Sequence, residues 1–277
     1  MITAIYPLQP KAPPVPYLAF YLFTSIGLFA FALGAVCIGI STGRRRRKDL
    51  GEVVELGTSA VDGAVYALLG LLIAFTFSGA ASRFDERRSL IVEEANDIGT
   101  AWLRLDLLPT SAQPRLRQLM IDYTQSRLDT YRLLPDLSAA EAELALSQRL
   151  QAKIWAEAMV AARAPGQDTA AATLLLPALN AMFDITTTRT MASLKHPPQA
   201  IYLILYVMCV LSALLAGHNM GLAKSQSRLH ILAFPLVTAV VINLILDIEH
   251  PRLGFITVDD FDQSIADVLE SMKASGS

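Results

Sequence analysis

The chain has 277 residues, of which 53% are hydrophobic and 17% charged, with a mean hydropathy of +0.42 and a formal net charge of −2. Soluble domains carry about a quarter charged residues, so this composition excludes an ordinary water-soluble protein, and the near-neutral balance excludes a basic nucleic-acid-binding surface. The two cysteines, Cys37 and Cys209, both sit in apolar runs, where they act as small hydrophobes and argue for neither a disulfide nor a metal.

Residues 1–16 hold Pro7, Pro10, Pro13, Pro14 and Pro16 with a single basic residue, Lys11. They read as an extended lead-in, because a signal peptide needs a basic start and a shorter apolar core. Tyr17–Ile40 is an apolar run of about 24 residues, long enough to cross a hydrocarbon layer of about 30 Å with some tilt. It is expected to stop at Ser41-Thr42-Gly43. Arg44, Arg45, Arg46, Arg47 and Lys48 follow, and such a cluster places the loop 42–58 on the cytoplasmic side. Ser59 and Asp62 form a capping pattern for the second span, which makes Asp62 a helix-start residue.

From Gly63 to Leu105 no proline intervenes until Pro109, so one helix is expected to run from an apolar first half into a charged second half. Steps of four and three pick out Gly63, Ala67, Gly70, Ala74, Phe77, Ala81, Phe84, Arg88, Ile91, Ala95, Ile98, Trp102 and Leu105 as a heptad seam. Small residues at Gly63, Ala67, Gly70 and Ala74 allow close backbone approach between helices in lipid. Phe77, Ala81 and Phe84 stack along one side with Arg88 a turn further. Around a common axis they would give an apolar constriction beside a ring of cations, a geometry that gates by dewetting and attracts anions. The plainer alternative packs the seam on the chain's own spans and pairs Arg88 with Asp85 or another acid. The cluster Asp85–Asp97 reads as a solvated face with local ion pairs.

Residues 84–196 form an all-helical soluble domain. Pro109 and Pro114 close the long helix, and Leu116, Leu119, Met120, Tyr123, Leu128 and Tyr131 mark the next, ending near Pro135. Ser138 with Glu141 is expected to cap a helix that Pro165-Gly166 ends, and a further helical stretch runs from Asp168 through Pro177 to Leu194. Ile201–Ala216 is the third span and Leu229–Leu246 the fourth, joined by a loop carrying Lys224 and Arg228. Asn243 and Asp247 share a face of the fourth span. An unpaired polar group in hydrocarbon costs several kcal/mol, so this pair is either functional or already at the interface beside Arg252 or Arg83. Residues 251–277 carry Phe261, Ile265, Val268, Leu269 and Met272 on one face of an amphipathic helix that lies on the bilayer or on the helical domain. The organisation is thus 1–16, spans within 17–83, domain 84–196, spans within 197–250 and tail 251–277. Both basic loops inside would put 84–196 outside, while Arg83, Arg87 and Arg88 pull the other way.

His196, His218, His230 and His250 are scattered, and no nucleophile elbow, metalloprotease helix or phosphate loop is present. Neither an enzyme nor a cofactor nor a metal is expected. The stretch FTFSGAASRFDERRSLIVEEANDIGTAWLRLDLLP (Phe75–Pro109) resembles the signature of the bestrophin-like domain family of bacterial membrane proteins, and DIEHPRLGFITV (Asp247–Val258) resembles that family's element after the last span. The resemblance implies kinship to bestrophins: pentameric anion channels with four spans, a helical domain inserted between spans two and three, held in the cytosol, and an apolar neck on span two. Carried over residue by residue, the neck falls on Phe77, Ala81 and Phe84, spaced four and three where bestrophins use four and four. The calcium-binding acidic run of animal bestrophins is matched here only by Asp259, Asp260 and Asp262. The expected protein is therefore a homo-oligomeric, anion-preferring channel of the bacterial inner membrane, with lipid, further copies of itself and an anion such as chloride as partners and no nucleic acid. The alternative is a non-conducting scaffold or sensor whose helical domain binds a protein.

Overall fold

A computed structural model describes residues 15–50, 59–134, 136–166, 169–223 and 228–275. The lead-in 1–14, the loop residues 51–58, Pro135, Asp168 and Lys224 lie outside these. Every regular element among the described residues is helical: α1 (Val15–Leu50), α2 (Ser59–Arg104), α3 (Gln113–Arg132), α4 (Leu137–Ala162), α5 (Leu176–Leu194), α6 (Gln199–Leu222), α7 (Arg228–Glu249) and α8 (Gln263–Ser275). Four helices are long and apolar enough to cross a membrane. The chain divides into two compact units. One comprises 13–82 and 196–250, and the other comprises 83–195 and 251–277.

In the four-helix unit, α1 and α6 pack backbone to backbone. Gly39 and Gly43 on α1 face Gly217 and Gly221 on α6, and a side chain at any of the four would overlap the facing main chain: Gly39 against the Leu214 carbonyl, Gly217 against that of Val36, Gly221 against that of Ile40. Two pairs of glycines four apart give each helix a flat strip, the geometry by which helices associate in lipid. The order of these contacts makes α1 and α6 parallel. Thr24 meeting Asn243 and Tyr17 meeting His250 make α7 antiparallel to α1, as successive crossings of one bilayer require. Ala32, Val36, Leu205, Cys209, Ala213 and Ile242 are buried at the centre. Helix α1 does not stop at Gly43; it continues to Leu50 and carries the basic run on its last turns, where cations complement the negative end of the helix dipole.

The second unit is built around a core in which Ile98, Leu105, Met120, Tyr123, Ile154, Leu175, Leu179, Met182 and Ile265 are fully or almost fully buried. Helix α4 is capped by Asp136, whose carboxylate accepts the Ala139 N–H (3.1 Å) and the Ser138 hydroxyl (2.8 Å). Ser138, expected as the cap, is therefore inside the first turn. Gly166, at φ 79°, lies four residues beyond the end of α4. A five-residue π turn, Ala171–Leu175, leads into α5, and the Leu174 carbonyl accepts from Arg104 (2.6 Å). Of the two sites open to the tail helix α8, it takes the protein surface: Ile265, Leu269 and Met272 are buried in this core, and the Thr124 hydroxyl approaches the Met272 sulfur at 3.7 Å.

Candidate functional site

Helix α2 carries the face singled out by its sequence. Its 46 residues span about 69 Å at 1.5 Å per residue. Within the four-helix unit one side is occupied: Asp62, Leu69 and Ala80 are buried, and Tyr66 meets Phe234 of α7 edge-on at 6.4 Å. The opposite side is open. Gly63, Ala67, Gly70 and Ala74 are all exposed, and nothing lies within 4 Å of where a side chain on Gly63 or Gly70 would project. Leu68, Leu71 and Phe75 stand beside them, 57%, 50% and 68% exposed, and Phe77 at 40% borders the same face. Ala81 is half-buried. Of the plainer alternative, the packing of Gly63, Ala67, Gly70 and Ala74 on the protomer's own spans is not seen, whereas its pairing of Arg88 with Asp85 is.

In the second unit the same seam turns inward. Phe84 packs against the core. The Arg88 guanidinium lies over the Phe261 ring at 4.3 Å and near Phe84 at 5.7 Å, and it pairs with Asp85 at 3.1 Å. Ile91, Ala95, Ile98, Trp102 and Leu105 are buried. The exposed residues of this half of α2 include the neighbouring line Asp85, Ser89, Val92, Asn96, Thr100 and Leu103, with Glu86 and Glu93 beside it.

The polar residues expected inside the fourth span are both buried and both have partners. The Asn243 amide donates to the Ala239 carbonyl (2.8 Å) and its oxygen lies 3.4 Å from the Thr24 hydroxyl of α1. Asp247, 2% exposed, is hydrogen-bonded by Tyr17 of α1. One turn separates Asn243 from Asp247 and seven residues separate Thr24 from Tyr17, so the pairs staple α1 to α7. At the same end, His196 lies 3.4 Å from the fully buried Glu249 and stacks on His250 at 5.3 Å. Asp62 is a helix-start residue, as expected, but it is also buried and takes a hydrogen bond from Asn219 of α6 (2.9 Å).

A charged cluster in the second unit escaped the sequence reading. Glu94, read there as part of a solvated face, is fully buried and receives Arg127 Nε at 2.6 Å together with Arg189 Nη1. Asp262 is shared between Arg252 (Nη2 at 2.9 Å) and Arg189 (3.8 Å), and Arg252 also holds Asp259 at 2.7 Å. The Tyr131 ring is the hub, with the guanidiniums of Arg189, Arg252 and Arg127 centred 4.0, 4.9 and 5.2 Å from it. Burial pushes the Glu94 carboxyl up, but the charges of Arg189 and Arg127 outweigh it and hold the group below the ordinary carboxylate range. Burial beside this carboxylate pushes the Tyr123 hydroxyl up to about 12. The signal that finds Glu94 is its register, since Ile91 and Ile98, three residues before it and four after, lie on the same helical face. Nearby, Arg87 donates to the carbonyls of Ala192 (3.1 Å) and Lys195 (3.0 Å), closing the C-terminal end of α5.

Residues 26–261 match the family described as the Bestrophin-like domain. Among solved structures, a bacterial bestrophin homologue from Klebsiella pneumoniae is similar at 18% identity and a TM-score of 0.64, with 91% of this chain and 98% of that chain covered. A point variant of the same homologue gives a TM-score of 0.66 at 18% identity over 90% of this chain and 98% of that one. No curated protein matches.

Proposed function

This chain belongs to the Bestrophin-like domain family, and from that premise we propose that it is a homo-oligomeric membrane channel whose conducting path is lined by the open face of α2. The observation that carries the reading is that face. Leu68, Leu71, Phe75 and Phe77 are 57%, 50%, 68% and 40% exposed on a helix with small residues at Gly63, Ala67, Gly70 and Ala74, and nothing lies within 4 Å of where a side chain on Gly63 or Gly70 would project. Copies arranged about an axis would bring these apolar side chains into a ring narrow enough to gate by dewetting. The reading centres the constriction on Leu71, Phe75 and Phe77 and leaves Ala81 at its edge. Residues 84–196 are taken as the soluble domain inserted between spans two and three, the assembly as a pentamer by family resemblance, and the location as the bacterial inner membrane.

Ion preference is read from the charges further along the same helix. Arg88 favours an anion such as chloride. Asp85, with a side chain 70% exposed against 40% for Arg88, favours a cation, and that difference keeps the second reading in play. Reconstitution in planar bilayers tests both. Replacing Phe75 and Phe77 with Ala is expected to raise the current several-fold. Under a salt gradient, R88Q should shift the reversal potential toward cations if Arg88 sets the preference, and D85N toward anions if Asp85 does. Absence of current from wild type and double variant alike would leave the scaffold reading standing.

A further inference from the structure

The lysines and arginines of the four-helix unit are gathered at one end: Arg44–Arg47 and Lys48 on α1, Lys224 between α6 and α7, and Arg228 at the start of α7. The apolar run of α1 ends at Ile40. Arg44 therefore stands one turn past it and Lys48 two, about 6 and 12 Å along the helix. The headgroup layer on each side of the hydrocarbon is about 5–8 Å thick, and long basic side chains reach back into it. One side of this stretch is taken. Gly39 and Gly43 lie against α6, and Arg47, a turn further on the same side, donates to the carbonyl of Ala223, where α6 ends. The opposite side carries Ile38, 60% exposed, then Ser41, Arg45 and Lys48, all exposed, at steps of three and four. Among the described residues, the carboxylates at this end are Asp49, exposed, and Asp62, which is buried and held by Asn219.

We infer that this outer face of α1 binds an anionic phospholipid, with Arg45 and Lys48 on the headgroup phosphate and Ile38 against the acyl chain. The order along the face, apolar and then hydroxyl and then cation, follows the order of chain, ester and phosphate through one leaflet. Because α1 is continuous to Leu50, the helix itself fixes the depth of the cations. A run of basic residues beside a span attracts acidic lipids, and a guanidinium presents two parallel donors to phosphate oxygens. Arg46, also exposed, adds to the local field from the flank. A second copy of the chain is a poor occupant. In the same bilayer it presents the same end at the same depth, so cations would meet cations, and Asp49 is the exposed acid that the described residues offer there. The acidic headgroup supplies the missing counter-charge, and conduction plays no part in its binding.

The test compares two reporters on α1. Ile38→Trp lies on the proposed face, and Phe23→Trp, 78% exposed near the other end of the helix, serves as control. Each is reconstituted in phosphatidylcholine vesicles holding a minor share of phosphatidylglycerol, with bromine on the acyl chains of one lipid or of the other. Both leaflets have the same composition, so the direction of insertion does not affect the reading. Emission from Trp102 and Trp155 is measured in the parent and subtracted. At Ile38→Trp, phosphatidylglycerol should quench at least about threefold more per molecule than phosphatidylcholine, whereas at Phe23→Trp the two should be equal. Neutralising Arg45, Arg46 and Lys48 together to Gln should bring the ratio at Ile38→Trp to one, while Arg45→Lys with Arg46→Lys should keep a preference. Raising salt from about 0.1 M to about 1 M shortens screening from about 10 Å to about 3 Å and should erase the preference without any substitution, which decides the matter if the neutral variant does not insert. Equal quenching at Ile38→Trp, or a preference that survives both neutralisation and salt, overturns the inference. So does a neutral variant that keeps the preference but changes its oligomeric mass, because a neighbouring copy would then be the occupant.

Discussion

The two halves of α2 are one helix with two opposite uses of one stripe. Up to about Phe77, the positions Gly63, Ala67, Gly70 and Ala74 are open; beyond Phe84, the continuation Ile91, Ala95, Ile98, Trp102 and Leu105 is sealed in a core. The reason is geometric. A heptad repeat advances 3.5 residues per turn and a straight α-helix 3.6, so the seam slips about 20° per heptad. Over the six heptads from Gly63 to Leu105 this amounts to about 120°, enough to carry a stripe from an outer face to an inner one. The open line does the reverse, moving one position along to Asp85, Ser89, Val92, Asn96, Thr100 and Leu103. A single sequence periodicity can therefore leave an open face at one end of a helix and build a fold core at the other.

The sharpest way to break this comparison is to strike the closed half at Glu94. Glu94→Ala leaves Arg127 buried without a carboxylate and Arg189 with Asp262 alone, at 3.8 Å, and stripping one partner from a buried ion pair typically costs about 3–5 kcal/mol. It should abolish or strongly lower cooperative unfolding of the second unit, measured by circular dichroism in detergent. Next in size is the α1–α6 contact. Gly217→Val drives a branched side chain into the Val36 main chain and should cost about 1–3 kcal/mol as overpacking, read as lost thermal stability and lower membrane yield. Gly70→Val, with nothing near it in the protomer, should leave the protomer fold intact and act only on assembly, visible as a shift in size-exclusion mass. The same network gives a pH dependence. The folded carboxyl of Glu94 lies below its ordinary value near 4.5, so its stabilisation is complete above that value and is lost as pH falls through the depressed one. Melting temperatures of wild type and Glu94→Gln should differ most at neutral pH and converge at the acid end; a gap that stays constant on acidification would show that the carboxylate charge does not contribute.

How much of this was legible in the sequence depends on which physical signal each residue carried. The four spans were, because length and hydropathy are properties of a whole segment and no neighbour alters them. The tail helix was legible as amphipathic, but whether Ile265, Leu269 and Met272 met lipid or protein depended on a partner surface that no local pattern encodes. The α1–α6 glycines carry a visible four-residue spacing, yet spacing alone does not say which helix meets which. Ser138 and Asp136 are both good capping residues two positions apart, and only the backbone φ/ψ at Asp136 decides between them. Glu94 was hidden by its neighbours: Glu93 is exposed and Asp97 half-buried, and a run of charges reads as solvated unless each is placed on the helical wheel. On α2, the seam keeps one exposed face as far as Phe77 and enters a core beyond Phe84, because helical drift is small over two heptads and large over six.

The smallest expected effect is the one that tests the open half most directly. Leu71 is half exposed and belongs to no core in the protomer. Leu71→Ala removes no protomer packing of consequence, and its effect on unfolding should stay within about 0.5 kcal/mol, as for substitutions away from buried contacts. Buried leucines such as Leu205 or Leu179 should instead show the loss of about 2–5 kcal/mol that accompanies cavity formation. If Leu71 contributes to a ring about an axis, the same substitution widens that ring in every copy, so current should change while stability does not. Should Leu71→Ala unfold the protomer as readily as Leu205→Ala, the upper half of α2 would be as closed as the lower, and the contrast between the two halves would vanish.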